Sequence, residues 1–479
     1  MPDHRPLLHQ TAALAARYLE GIERRHVGGL ATREGLLTAL GGALPRQGLT
    51  PDQVIEDLAR FADPGVVASA GPRYFGFVTG GALPAALAAD WLASAWDQNA
   101  FSWVMSPAAA VVEEVAAGWI LDLLGLPASS SVGFSSGATM ATFTGILAGR
   151  HRVLSRAGWD VERDGLIGAP PLTVVLGSEA HATVLSALQM AGLGSGRARR
   201  VDSDEQGRMR PGALRSLLAE LGDRPVLVSA QAGNVNSGAF DPLPEIVDAV
   251  RAHPNAWLHV DGAFGLWAAA SDALRSHVDG VAGADSWTTD AHKWLNVPYD
   301  CGVVIVRDAD AHRAAVNFGA AYYVIGDGGA REPGSWVPDS SRRARGFAVY
   351  AALRQLGRAG VADLVDRCCA LARRLADGLR DAPGVAILND VVLNQVLVRF
   401  APTARPGGGL DVDADVDADA IDAFTRRVIA AVQQDGTCWA GGTTWHGMAA
   451  MRISVSNWAT SEADVDASVV AIRRCAASA

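Results

Sequence analysis

Residues 285–294 read Asp285-Ser286-Trp287-Thr288-Thr289-Asp290-Ala291-His292-Lys293-Trp294, and Lys293 is the one lysine in a chain of 479 residues with 41 basic side chains. Arginine replaces lysine on a solvated surface at little cost in charge, so codon bias can strip lysine from a chain. It does not explain why one stays. A guanidinium is protonated at any working pH, whereas a desolvated primary amine can lose its proton and attack a carbonyl carbon to form a Schiff base. Lys293 is therefore the first candidate for covalent amine chemistry, against the alternative of a surface lysine left by chance.

Earlier in the chain, one crossover's length away, stands Trp257-Leu258-His259-Val260-Asp261-Gly262-Ala263. An apolar run that ends in an acid and two small residues reads as a buried strand delivering a carboxylate to the edge of a sheet. A buried carboxylate needs a partner, and a pyridinium nitrogen would be one. Ser178-Glu179-Ala180-His181 follows the apolar run at 172–176 and opens a helical pattern, so His181 either caps that helix or stacks on a planar ligand. Ser135-Ser136-Gly137-Ala138-Thr139 precedes another helical pattern. Its small residues and hydroxyls either cradle an anion at the helix start or only cap it. Read together, the four stretches supply a phosphate cradle, a ring-stacking imidazole, an acid for a ring nitrogen and a Schiff-base amine. That set matches pyridoxal phosphate, whose signature is a lysine Schiff base and an acidic partner for the pyridinium nitrogen.

The surrounding pattern predicts an α/β fold. Helical periodicity at 111–124, 139–153, 181–192 and 243–252 alternates with apolar runs at 172–176, 226–230, 257–261 and 302–306, which implies a mostly parallel sheet between helices. Sites in such sheets lie beyond the carboxyl ends of the strands. Helices at 8–24 and 52–62 precede this region. A long helical pattern at 341–380 follows it, then a strand at 394–400, a helix at 420–434 and a strand at 450–455. The expected division is an N-terminal, dimer-forming helical segment at 1–105, a large coenzyme-binding domain at 106–345 and a small α+β domain at 346–479. The acidic repeat at 411–420 reads as a solvated insertion, and Arg197, Arg199 and Arg200 as solvated loop charges.

Composition excludes several classes. A net charge of −10 argues against nucleic acid as a partner. The five cysteines are an odd number without metal-ligand spacing, no leader precedes them, and no apolar run reaches a membrane span. The expectation is a cytoplasmic protein with no metal and no membrane partner.

Eight blocks carry a resemblance, in order: RYFGFVTGG, FSWVMSPAAAVVEE, SEAH, AGNVNSGAFDP, HVDGAFG, DSWTTDAHKWLNVPYDCG, SRRAR and MRISVSNWATSEADV. They resemble the group II pyridoxal-phosphate-dependent amino acid decarboxylases, which include the aromatic amino acid, histidine and glutamate decarboxylases. The resemblance implies fold type I, that of aspartate aminotransferase, with a mostly parallel sheet of the seven-stranded type. It implies that Lys293 holds the coenzyme, Asp261 pairs with the ring nitrogen, His181 stacks on the ring and Ala263 lies against its other face. Gly137, Ala138, Thr139 and His292 would surround the phosphate, with Asn234 standing where many members have threonine near the ring hydroxyl. Tyr74, Phe75, Phe77, Phe101, Trp103 and Tyr323 are candidate substrate contacts, favouring an apolar or aromatic amino acid. The family forms homodimers with the site at the interface, so residues near Phe101–Ser106 would cross to the partner.

The sequence also departs from the family. Met140 replaces a common acidic residue, and the segment IGDGGAREPGSW at 325–336 lacks the tyrosine that protonates the substrate carbon in animal and plant members. Tyr322 and Tyr323 precede it. Decarboxylation to an amine is the expected reaction. Its competitors are decarboxylative oxidative deamination to an aldehyde, aminotransfer or carbon–carbon lysis, and a catalytically inactive dimeric scaffold.

Overall fold

The computed structural model describes residues 3–317, 329–402 and 418–479. The chain divides into two compact units. One comprises Met1–Thr79, Arg374–Ile387 and Leu397–Ala479, and the other Gly80–Arg373 with Leu388–Val396.

The second unit is built on seven strands: β1 (Ser131–Ser135), β2 (Thr173–Gly177), β3 (Arg199–Val201), β4 (Val226–Gln231), β5 (Ala256–Asp261), β6 (Ser286–Asp290) and β7 (Gly302–Val306). Their order across the sheet is β1-β7-β6-β5-β4-β2-β3. Only β7 runs against its neighbours. Helices alternate with the strands, so the expected α/β fold with a mostly parallel sheet is present.

The Ala138–Arg156 helix shows how the sheet is covered. Its Gly145 and Gly149 lie one turn apart on a single face, while His259 and Trp257 lie two apart on one face of β5. A Cβ at Gly145 would come 2.9 Å from the His259 ring, and one at Gly149 would come 2.7 Å from Trp257 Cδ1. Two glycines, each unfavourable in a helix by roughly 1 kcal/mol, thus admit two large rings between helix and sheet.

Three of these strands depart from the sequence reading. β6 is Ser-Trp-Thr-Thr-Asp, without an apolar run, yet every residue in it is buried. β1 is short and carries Gly133, whose missing side chain lets Trp336 O approach. Arg199 and Arg200, expected in a loop, lie in β3, where they are exposed at the sheet's edge.

The first unit contains helices Arg5–Gly21, Arg33–Leu40 and Pro51–Ala62. A second sheet of β8 (Val385–Ile387), β9 (Gln395–Phe400), β10 (Gly441–Trp445) and β11 (Met448–Ser454) has the order β10-β11-β9-β8, with antiparallel β10/β11 and β8/β9 pairs. The long helix expected at 341–380 is Gly346–Arg380, broken at Gly357, where φ is 61°. Most of the acidic repeat lies outside the described residues; its last three residues open the Ala418–Asp435 helix. No described helix is long and apolar enough to cross a membrane.

Candidate coenzyme site

The carboxyl edge of the seven-stranded sheet gathers the residues singled out in the sequence. In register across it, Ser135 pairs with Gly302, Gly302 with Asp290, Thr288 with Asp261, and Asp261 with Gln231. Lys293 follows directly after β6. Its Nζ lies 3.1 Å from Asp290 Oδ2, with the lysine side chain 18% exposed and the aspartate 2%. A Cβ on Gly80 would overlap the Lys293 carbonyl oxygen, so the glycine-rich stretch after the Tyr74 region allows the chain to press against the lysine backbone.

His292 is buried, and burial holds its pKa below the usual range. Its Nδ1 accepts the Cys301 backbone N–H at 3.1 Å, so the single proton of the neutral ring sits on Nε2. Nε2 lies 3.7 Å from Asp290 Oδ2. A Cβ on Gly137 would meet His292 Cε1 at 3.4 Å, which places the start of the Ala138–Arg156 helix beside this imidazole. No side chain caps that helix, and the backbones of Gly137 and Gly302 meet too closely for a Cβ on Gly302. Ala138 is buried and Thr139 half-buried in the first turn.

Asp261 is 6% exposed, and among the described residues its carboxylate accepts one hydrogen bond, from Ala263 N at 3.2 Å. The Ala263 carbonyl in turn accepts Asp290 N at 2.8 Å. Asp261, Ala263, Asp290 and Lys293 therefore form one connected path.

His181 is the N-cap of the Ala182–Met190 helix, its Nδ1 accepting Thr183 N at 3.3 Å. Capping, one of the two roles left open by the sequence, is thus present. The turn before it is fastened to the end of β4, because the Glu179 carbonyl accepts from Gln231 Nε2 at 3.0 Å and Asn234 Nδ2 at 3.3 Å. Asn234 Oδ1 accepts Asn236 N and Ser237 N, so its amide reaches the site through the turn that carries His181.

The aromatic candidates are dispersed. Phe101 O accepts Gly334 N at 2.7 Å, and Trp103 N donates to Glu332 Oε2 at 2.9 Å, which ties both to the segment that follows residue 328. Tyr74, Phe75 and Phe77 belong to the first unit, where Tyr74 and Phe77 stack on Trp439 at centroid distances of 5.1 and 5.5 Å. Tyr322 and Tyr323 lie outside the described residues. Asp290 was given no role from the sequence; its signal was a carboxylate three residues before the lone lysine.

The edge fits pyridoxal phosphate. An uncapped helix start with a close glycine pair suits a phosphate, and Asp261 keeps an oxygen without a protein donor. Among the described residues, Asp290 Oδ1 is buried without a hydrogen-bond partner.

Residues 35–401 match the model of the pyridoxal-dependent decarboxylase conserved domain. The chain belongs to that family. This decarboxylase is 27% identical over 405 residues to an aromatic-L-amino-acid decarboxylase of Bacillus atrophaeus, covering 83% of the chain and 82% of the relative. It is 30% identical to the aromatic-L-amino-acid decarboxylase of Cavia porcellus over 404 residues, or 80% and 82% of the two chains. The crystal structure of Oryza sativa TDC with PLP and tryptamine superposes with a TM-score of 0.89 at 24% identity, covering 99% of this chain and 98% of that one. The protein is a pyridoxal-phosphate-dependent amino acid decarboxylase, a carboxy-lyase.

Proposed function

We propose that this decarboxylase removes the carboxylate of an aromatic or apolar α-amino acid, with Lys293 as the coenzyme anchor and Asp261 as the partner of its ring nitrogen. The observation that carries the reading is the path Asp261–Ala263–Asp290–Lys293 along one sheet edge. Pyridoxal phosphate, when bound, supplies an electron sink for the bond that breaks. Asp261 uses its free oxygen to hold the ring nitrogen. The neutral His292 presents its Nε2 hydrogen to the phosphate, the amides of Ala138 and Thr139 add the positive end of the helix, and Gly137 keeps the approach clear. His181, fixed as a cap and braced through Asn234 and Gln231, would stack on the ring, and Ala263 would line its other side. Lys293, held here by Asp290, would be the residue that anchors the coenzyme.

The aromatic preference is supported by the relatives' names and by Phe101 and Trp103. A panel of amino acids incubated with the holoenzyme, with carbon dioxide, amine, aldehyde, ammonia and peroxide all assayed, tests it. The expected result is carbon dioxide and amine in equal amounts from an aromatic substrate. Preference for an acidic or basic amino acid would reverse the substrate reading. The lack of tyrosine in 325–336 favours one second outcome. In it, the amino acid, oxygen and water give aldehyde, carbon dioxide, ammonia and hydrogen peroxide, so aldehyde matched by peroxide would establish that reaction.

The working form is a cytoplasmic homodimer. The three N-terminal helices bury none of their residues, while Leu8, Leu19, Leu37, Val54 and Leu58 are exposed, which supports a second copy as their cover. Five free, buried cysteines suit a reducing compartment. Sedimentation should give a dimer that Leu58→Glu weakens; a monodisperse monomer that still binds coenzyme would refute it.

A further inference from the structure

We infer that His259 is a positioning residue for the coenzyme's acid, a neutral imidazole that stabilises the negative charge on Asp261 from the strand behind it. The inference rests on the reading of Asp261 given above.

His259 stands two residues before Asp261 on β5, on the same face of the strand, and is 2% exposed. Three elements enclose it, and β4 contributes Ser229, its register partner on that side. β6 contributes Ser286, its register partner, and Thr288, the register partner of Asp261. The Ala138–Arg156 helix contributes Thr142 and Gly145. None of these groups titrates, and burial holds the His259 pKa down at about 4, so the ring is neutral at working pH.

The hydrogen bonds decide where its proton sits. Trp257 Nε1 donates to Ser286 Oγ at 2.9 Å, and Ser286 Oγ lies 2.8 Å from His259 Nδ1. Those are the two hydrogen-bond partners of Ser286 Oγ among the described residues, and an indole N–H only donates. The serine's own hydrogen therefore goes to Nδ1, and the imidazole carries its proton on Nε2. Nε2 is directed at Thr288 Oγ1, 3.4 Å away, which also meets Thr142 Oγ1 at 3.2 Å. The positive end of the ring dipole thus points toward the strand position in register with Asp261. The negative charge of Asp261 also acts on this ring, raising its pKa against the larger effect of burial. A dipole so aligned favours the carboxylate, and so a proton on the coenzyme's ring nitrogen rather than on Asp261. Gly145 lets the ring sit there, at the helix-forming cost already noted.

The test compares the protein with His259→Leu and His259→Gln, after reconstitution with pyridoxal phosphate labelled with 15N in the ring. The readouts are the 15N shift of the ring nitrogen, coenzyme affinity of the apoprotein and the melting temperature. Expected are a protonated nitrogen in the unmodified protein, a shift toward the neutral form in the leucine variant, and coenzyme affinity weakened about tenfold. Glutamine, which returns an N–H near the Nε2 position, should restore most of both. A purely structural role would lower melting temperature and leave the 15N shift unchanged; that result in a folded leucine variant overturns the inference. If the leucine variant does not fold, Ser286→Ala releases Nδ1 and should move the shift in the same direction by less; no movement overturns the inference equally. An unmodified protein that takes up no coenzyme would instead defeat the reading of the site itself.

Discussion

The upper edge of the seven-stranded sheet and the layer just beneath it use the same strands in opposite ways. At the edge, among the described residues, Asp261 has one protein donor and Asp290 Oδ1 has no hydrogen-bond partner although buried. One step inward on the same two strands, Trp257, His259, Ser286 and Thr288 engage one another in a closed network. Unsatisfied buried polar groups cost about 1–3 kcal/mol each, a cost that a ligand completing their hydrogen bonds would offset. The inner layer is closed on itself behind Asp261, and the outer one is arranged for a visitor.

Substitutions should separate the two layers. The largest effect is expected at the edge: Lys293→Ala should lower turnover by roughly 10²–10⁴-fold, the range for a lost covalent or proton-transfer group. Its melting temperature should stay close to that of the parent apoprotein; a variant that keeps turnover would break the contrast at its strongest point. Asp261→Asn follows, with a loss of about 10²–10³-fold in kcat/KM from removing a charge aimed at the reacting system. Steady-state kinetics on a folded sample checks it.

Inner-layer changes away from the His259 ring should act on stability. Alanine at Gly149 puts a Cβ 2.7 Å from Leu227 Cδ2 and Trp257 Cδ1, and overpacking of this kind costs about 1–3 kcal/mol. Denaturant unfolding should show the loss, with activity per folded molecule unchanged. The last effect is one of pH and concerns His312, whose ring is buried between Ser131 Oγ at 2.8 Å and Trp336 O at 2.9 Å, with burial holding its pKa down at about 3. Between pH 6.5 and about 3 the unfolded chain holds a proton on this group that the folded chain lacks. Its contribution to stability is therefore complete above pH 6.5 and falls by about 1.4 kcal/mol per pH unit below it. His312→Asn should cost most near neutrality, and its gap from the parent should narrow as the pH drops; a constant gap would contradict the burial argument.

The same contrast explains what could be read without coordinates. β5, its terminal acid and the small-residue helix start were legible because apolar runs and chain punctuation mark them. β6 was not, because Ser286 and Thr288 are buried by virtue of partners on β5 and the covering helix, and a one-dimensional pattern counts such residues as exposed. Gly145 and Gly149 appear as weaknesses in a helix until the rings of His259 and Trp257 are seen against them. Asp290 stood in the quoted motif, yet its pairing with Lys293 depends on the turn after β6. The single lysine was the most legible feature, since rarity needs no geometry.

That rarity also provides the decisive experiment. Borohydride reduction of the holoenzyme followed by peptide mapping should fix one coenzyme per chain, on the peptide carrying Lys293. Coenzyme recovered only on the chain's amino terminus, or a reduced protein bearing none, would contradict the assignment.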